Sequence, residues 1–279
     1  MSFKSVVTVV TDLDQDRGIL EGSAALCGSL GAHLDAICLG LDRTETGYYA
    51  AGVSAAVSLE LRHQAETEAE ALETDVGALL GRTGVLWSTE AMVSPIGVAG
   101  AAPGLRARYA DVAVLGKPYG DDVGYEKESI LEGVLFDAAC PVLVLPDGAA
   151  PPADPKSVVI AWNGGAEALR TIRFAMPLLK RAETVSIAVI DPPPHGPERS
   201  DPGGPLCQLL ARHGIRTEVS VMAKTMPRIA DVLCRHTSDQ DADLVVMGAY
   251  GHSRFRESIL GGATRDMLKV AHVPVFMAH

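Results

Sequence analysis

The chain has 279 residues, 47% of them apolar and 21% charged, which is enough to bury a sizeable core and too apolar for a disordered polyelectrolyte. Its formal charge is −11 and it carries no Lys/Arg block, which argues against a nucleic-acid binder and against attachment to an anionic membrane surface. That charge is uneven: residues 1–146 hold 9 Lys+Arg against 21 Asp+Glu, a balance of −12, while residues 147–279 hold 15 against 14, a balance of +1.

The N-terminus offers only the run Val6 to Val10 before Asp12, too short for a signal-peptide core, and no apolar run approaches the ~20 residues of a membrane span. Five scattered cysteines, Cys27, Cys38, Cys140, Cys207 and Cys234, form no C-x-x-C pair. This argues against a disulfide framework and against zinc, and a reducing cytoplasm is the expected compartment. Cys207 and Cys234 fall on expected helices and read as small core residues. Of the eight histidines, His195, His213, His236, His272 and His279 show no metal-ligand pairing.

The elements repeat in order. Ser5 to Val10 opens the chain as a strand, a second helix over about 55–80 carries an acidic row (Glu60, Glu66, Glu68, Glu70, Glu73, Asp75), and Asp111-Val-Ala-Val-Leu-Gly116 and Cys140-Pro-Val-Leu-Val-Leu-Pro146 are later strands. The acidic row reads as a solvated helix face. The stretch Asp147 to Pro155, with three prolines and small residues, reads as a linker. After it, Ser157-Val-Val-Ile-Ala-Trp162 answers the first strand, Asp243-Leu-Val-Val-Met-Gly248 answers the fourth, and Val273 to His279 answers the last. The tetrapeptide Glu-Ser-Ile-Leu recurs at 128–131 and 257–260.

In the second copy the spacing of Ala168, Leu169, Ile172, Ala175, Met176 and Leu179 predicts an amphipathic helix over 165–181, kinked at Pro177. Strands at 185–190, 215–221, 243–248 and 274–278 alternate with helices near 205–213, 227–237 and 262–271. Short Val/Ile/Leu runs between helices imply a parallel sheet covered on both faces. The expected organisation is therefore two α/β domains, 1–146 and 157–279, joined by a linker over 147–156.

The most chemically specific stretch runs from Gly248 through Gly251, Arg254 and Arg256 to Gly261, Gly262, Thr264 and Arg265. It leaves a buried strand and enters a helix behind a glycine pair. Ligands of open parallel sheets bind beyond the strand carboxyl ends, and a helix N-terminus there suits phosphate. Arg254, Arg256, Arg265 and Lys269 against Glu257 and Asp266 leave this segment locally +2.

The spacing Gly248-x2-Gly251-x9-Gly261, followed by a helix and His272-Val-Pro274-Val-Phe, resembles the nucleotide-binding motif of the universal stress protein family. The opening Val159-Ile-Ala-Trp162-Asn163-Gly164-Gly165 is similar to that family's first strand and loop. The resemblance covers nearly the whole chain, closely in the second half and loosely in the first, and identifies a tandem member. It implies two flavodoxin-like (Rossmann-like) five-stranded parallel sheets packed as an intramolecular pseudo-dimer, with a further homodimer left open. It implies that Asn163 and Gly164 meet adenine or ribose, that Val189 lies near the adenine, and that Gly248, Gly251, Gly261, Gly262, Arg254 and Thr264 surround the phosphates of ATP. Two positions depart from the motif: Asn163 stands where an Asp is usual, and Gly262 stands where Ser or Thr is usual. In the first copy no such glycine spacing survives, and Lys117 to Asp137 carries a balance of −4.

Neither G-x4-G-K-[ST] nor G-x-G-x-x-G occurs, which removes P-loop ATPases and standard dinucleotide dehydrogenases. Gly251-His-Ser253-Arg-Phe255 resembles a hydrolase elbow but lacks its last glycine. The favoured expectation is a cytoplasmic stress-response binding and signalling module in which any hydrolysis is slow. Two alternatives stand beside it: a scaffold or apolar-ligand binder of the same family, and a nucleotide hydrolase or nucleotidyl transferase using His252, Ser253 or Glu257.

Overall fold

A computed structural model describes residues 2–44, 55–120, 123–192, 200–249 and 262–279, and these divide into two compact units. One comprises Phe3–Cys140; the other comprises Met1–Ser2 together with Pro141–His279.

In the first unit the order is β1 (Ser5–Val10), α1 (Leu13–Leu30), β2 (His33–Asp42), α2 (Ala55–Leu80), β3 (Leu86–Pro95), α3 (Ala101–Ala107), β4 (Val112–Gly116) and α4 (Glu126–Glu132). The strands pair in parallel in the order β3-β2-β1-β4. The sheet is buried on both faces, and β1 shows why: Val6, Val7, Val9 and Val10 are all at most 5% exposed. Each such side chain contributes roughly 1.5–3 kcal/mol by leaving water. α1 starts on Asp12 and ends on Gly31, whose φ of +60° is the left-handed cap that glycine adopts without strain. α2 keeps the bounds expected from the sequence. Ala65, Ala69, Val76 and Leu80 are buried, while Glu60, Glu66, Glu68, Glu70 and Asp75 are exposed and Glu73 is half-buried.

In the second unit β5 (Val142–Leu145) precedes β6 (Ser157–Ala161), α5 (Ala166–Leu179), β7 (Thr184–Ile190), α6 (Gly204–Arg212), β8 (Thr217–Met222), α7 (Ile229–Asp239), β9 (Leu244–Gly248), α8 (Ala263–Val270) and β10 (Val275–Ala278). Five strands form a parallel sheet in the order β8-β7-β6-β9-β10. β5 adds to its end antiparallel, with Leu143 opposite Phe276. β5 and β10 are the segments matched in the sequence repeat, so two equivalent strands pair with each other. α5 continues through Pro177 and stops at Leu179, so the proline closes the last turn and does not interrupt the helix.

The repeat has a visible physical purpose at its matched aspartates. Asp111 accepts from the backbone N–H groups of Lys4 (2.6 Å) and Ser5 (3.0 Å), pinning the start of β1. Asp243 does the same for Lys156 (2.9 Å) and Ser157 (3.3 Å) at the start of β6. One side chain replaces the ladder partners that a strand end lacks.

α7 is tied to β7 by a buried contact between Ser186 Oγ and His236 Nε2, 2.9 Å apart. Burial pushes the His236 imidazole below its ordinary value, against a smaller upward pull from Asp239. A histidine whose folded pKa is depressed stays neutral in the native state, while the unfolded chain takes the proton first as pH falls. This contribution is therefore complete above the unfolded value of about 6.5 and is lost as pH drops below it. Urea midpoints measured from pH 7.5 to 5 are expected to fall, and His236→Gln is expected to flatten that part of the profile. An unchanged slope in the variant contradicts the assignment.

Candidate functional site

In both sheets the chain steps outward and then returns beside its first strand, so the strand order reverses between β1 and β4 and between β6 and β9. Crevices at such reversals, beyond the carboxyl ends of the strands, are where ligands bind in open parallel sheets.

In the second unit β6 and β9 run side by side, with Ala161 opposite Met247, and their loops leave from the same edge. Trp162 N–H still donates to Ala188 at 2.9 Å; then Asn163 Oδ1 accepts from Gly165 N–H at 2.9 Å, closing a tight turn. Gly164 within that turn has φ of +76°, where any other residue would be strained. Gly165 caps α5 without a side chain, and Glu167 supplies an acid to the first turn. A carboxylate there complements the positive end of α5, as Asp266 does in the first turn of α8.

Gly248 ends β9. A Cβ at this position would lie 2.6 Å from Ala168 N, so its bareness lets α5 rest directly on the strand. Val189, 6% exposed on β7, points with Ile187 toward Gly203 at the start of α6. Gly262 caps α8 with φ −60° and ψ 144°, again with no side-chain cap. Thr264 is 4% exposed and shares the buried face of α8 with Met267 and Leu268. The structure thus gathers Asn163, Gly164 and Gly248 at the ends of two adjacent strands, with Val189 on the next strand and Gly262 at the helix that follows β9. Gly251, Arg254 and Gly261 lie outside the described residues, as do His195, His252, Ser253, Arg256 and Glu257.

Thr171 was not foreseen. It is fully buried on α5, its hydroxyl lies 2.7 Å from the Glu167 carbonyl oxygen, and it accepts from Ala278 N–H at 3.1 Å. Arg170 adds a bond of 2.7 Å to the His279 carbonyl oxygen. Together they fasten α5 to the end of β10, and with Gly248 they fix the loop that carries Asn163. A threonine at one polar position of an apolar helix stripe was the available signal.

In the first unit the β1/β4 side of the equivalent edge is bridged by the chain itself, while beside it a groove of about 810 Å³ lined by Thr11, Asp12, Leu13, Leu39 and Leu41 stays open. Asp12 accepts from Asp14 N–H (2.8 Å) and Gln15 N–H (3.2 Å). Asp16, 7% exposed, accepts from Thr11 N–H at 2.8 Å, and its carboxylate holds Lys127 Nζ at 2.6 and 2.7 Å. Lys127 comes from the first turn of α4, which follows β4. The ion pair therefore bridges the two sides of the β1/β4 crevice, with the cation supplied internally and the first amides of α1 already taken.

A second polar cluster lies at the opposite edge of the first unit. Ser88 Oγ donates to Asp35 Oδ1 at 2.5 Å, and His33 Nε2 is 3.0 Å from the same hydroxyl. The serine proton is directed at the carboxylate and not at the imidazole, so this is not the order of a nucleophilic triad. The thiols Cys27, Cys38 and Cys140 are pushed up to about 12, chiefly by burial, and supply no thiolate chemistry near neutrality.

The fold and the glycine-bounded crevice define a tandem α/β protein of the flavodoxin-like type. Residues 155–279 match the universal stress protein family model. Universal stress protein Slr1230 of Synechocystis is 25% identical over 119 residues, which is 42% of this chain; the chain spans 40% of the length of that relative. A solved universal stress protein from Archaeoglobus fulgidus superposes on 98% of this chain and 95% of its own with a TM-score of 0.73 at 14% identity. A putative universal stress protein from Pseudomonas aeruginosa covers 99% and 93% with a TM-score of 0.58 at 16% identity. The second unit is thus similar to the universal stress protein family, and the fold over nearly the full length is like that of the Archaeoglobus protein. Among the described residues no helix is long and apolar enough to cross a membrane.

Removing one partner of a buried ion pair leaves the other charge unsatisfied and costs about 3–5 kcal/mol, whereas removing both costs far less. Lys127→Met should lower the stability of the first unit by roughly that amount in a denaturant titration, and Asp16→Asn with Lys127→Met should recover much of it. Equal losses in the single and double variants would show that the pair is not coupled.

Proposed function

We propose that this chain is a stress-response binding and signalling module whose second unit holds ATP or a related adenine nucleotide. The observation that supports it best is the contrast between the two crevices. Where α1 is capped by Asp12, and α4, itself without a capping side chain, is bridged through Lys127 to Asp16, α5 and α8 begin on Gly165 and Gly262 with no capping side chain. A helix start of that kind attracts a phosphate through its amides and its dipole. The glycine loop from Gly248 through Gly251 to Gly261 would wrap the phosphates, with Arg254 and Thr264 beside it. Asn163 and Gly164 would meet adenine or ribose, and Val189 would offer an apolar contact. Asn163 retains a carbonyl acceptor and an amide donor, so it can read adenine in place of an acid.

The His279 imidazole at this edge is held 3.1 Å from the Ala249 carbonyl oxygen, and the first unit acts as a partner whose β1/β4 edge is bridged by its own ion pair. The output is then a change in stability or partner choice on occupancy, about 2.7 kcal/mol when ligand exceeds Kd a hundredfold.

Mass analysis of small molecules released from purified protein, together with thermal unfolding in millimolar ATP, tests this reading. Bound adenine nucleotide and a rise of several degrees in the transition are expected, with both lost in Gly261→Asp. Absence of nucleotide and of any shift would remove ATP binding and leave the non-nucleotide scaffold. Gly248→Ala adds a positional test: the added methyl forces α5 off β9, so stability should fall by about 1–3 kcal/mol and any nucleotide affinity should fall with it.

A further inference from the structure

Asp35 is an acid inside β2, a strand paired on both sides, where aspartate is disfavoured because an ionised group gives up water. Register places it beside Val7 of β1 and Ser88 of β3. Ser88 Oγ donates to its Oδ1 at 2.5 Å, and Ser5 Oγ lies 3.4 Å from its Oδ2. Among the described residues no lysine or arginine comes within 4.0 Å of it, and His33 Nε2 is 3.6 Å away. The carboxylate therefore stands on a sheet face without a permanent countercharge.

The second unit fills the same place. Matching Ser5 with Ser157 through their registers sets Asp35 against Ser186, whose hydroxyl is taken by His236 of α7 at 2.9 Å. His236 stands seven residues before the pinning aspartate Asp243, and the residue seven before Asp111 is Gly104. A Cβ on Gly104 would lie 2.9 Å from the Gly133 carbonyl oxygen, and one on Gly100 would strike that of Ser129. Glycine at both positions lets α3 settle onto the end of α4, and α3 runs for 7 residues where α7 runs for 11. What His236 covers in the second unit is left in the first as a pocket of about 200 Å³.

Val7 and Ile37, each 2% exposed, close the floor of this pocket, and Tyr109, 82% exposed, stands at its rim. Glu90 also lines it, but Arg106 Nε donates to Glu90 Oε2 at 2.5 Å. That pair is neutral, so Asp35 sets the sign of the pocket. We propose that this pocket is a further ligand site of the chain and that it takes a small primary ammonium on a short alkyl chain. The ammonium donates to Asp35 Oδ2, the chain lies on Val7 and Ile37, and Tyr109 offers its ring face to the cation. A volume below the roughly 300–1,000 Å³ of drug-sized sites keeps the ligand small. An anion is repelled by Asp35 and by the −12 balance of residues 1–146. An amino acid would bring a carboxylate whose only cationic partner, Arg106, is already held by Glu90. The site does not depend on nucleotide in the second unit.

Titration of the full chain with butylamine, protonated at pH 7 as a lysine side chain is, tests the proposal through the amide chemical shifts of β2 and β3. Saturable shifts are expected at residues 35–37 and 88–90 with Kd of about a millimolar, and none with butyrate. Asp35→Asn keeps the shape of the side chain and should weaken binding about tenfold or more. Tyr109→Ala should weaken it about threefold, and Arg106→Ala, which releases the Glu90 charge, should tighten it about threefold. Tyr109 and Arg106 are exposed, so these two variants carry the test if Asp35→Asn lowers the thermal midpoint. Absence of saturable shifts overturns the proposal, and so does affinity that ignores Tyr109→Ala and Arg106→Ala or survives in a folded Asp35→Asn. Tighter binding of norvaline, which is butylamine carrying a carboxylate, overturns the choice of an amine.

Discussion

Parallel strands joined by helices place every strand carboxyl end and every following helix start on one edge of a sheet, and the amides gathered there must be satisfied by something. In the first unit that something is the chain: Asp12 takes the amides of Asp14 and Gln15, and Asp16 takes that of Thr11 while holding Lys127. In the second unit both helices flanking the crevice begin on glycine without a capping side chain. The rest of the functional account follows from that difference, because one edge holds amides through Asp12 and Asp16 and the other starts its helices on glycine.

The difference also explains the charge asymmetry. An edge already bridged by its own lysine gains little from further basic residues there, and the −12 half carries an acidic helix, α2. The second unit is near neutral and is locally basic around its glycine loop. The two copies share the pinning aspartates Asp111 and Asp243, so what diverged is the carboxyl edge and what stayed the same is the start of the first strand.

Most of the fold was legible from apolar spacing. α2 occupies 55–80 as its pattern indicates, and the helices and strands of the second unit fall within a few residues of expectation, because each element buries a face whose period can be counted. The site was legible only where its parts are contiguous, as in Asn163-Gly164-Gly165 and Gly248. The Asp16–Lys127 pair was not, since its partners are 111 positions apart and Lys127 sits in a stretch that reads as simply acidic. Nor did the sequence show that Gly248 is bare for the sake of α5, or that Thr171 ties α5 to β10: both depend on which helix lies over which strand. The glycine motif suggested phosphate for every one of its positions, and at Gly248 the packing of α5 is a second and sufficient reason for glycine.

The central claim is that only the second unit of this chain holds an adenine nucleotide. An equilibrium titration of the full chain with ATP, read as moles bound per mole of protein, measures this most directly. The account predicts a single site per chain, unaffected by Asp16→Asn paired with Lys127→Met and abolished by Gly261→Asp. Two equivalent sites, or binding that survives Gly261→Asp, would contradict it.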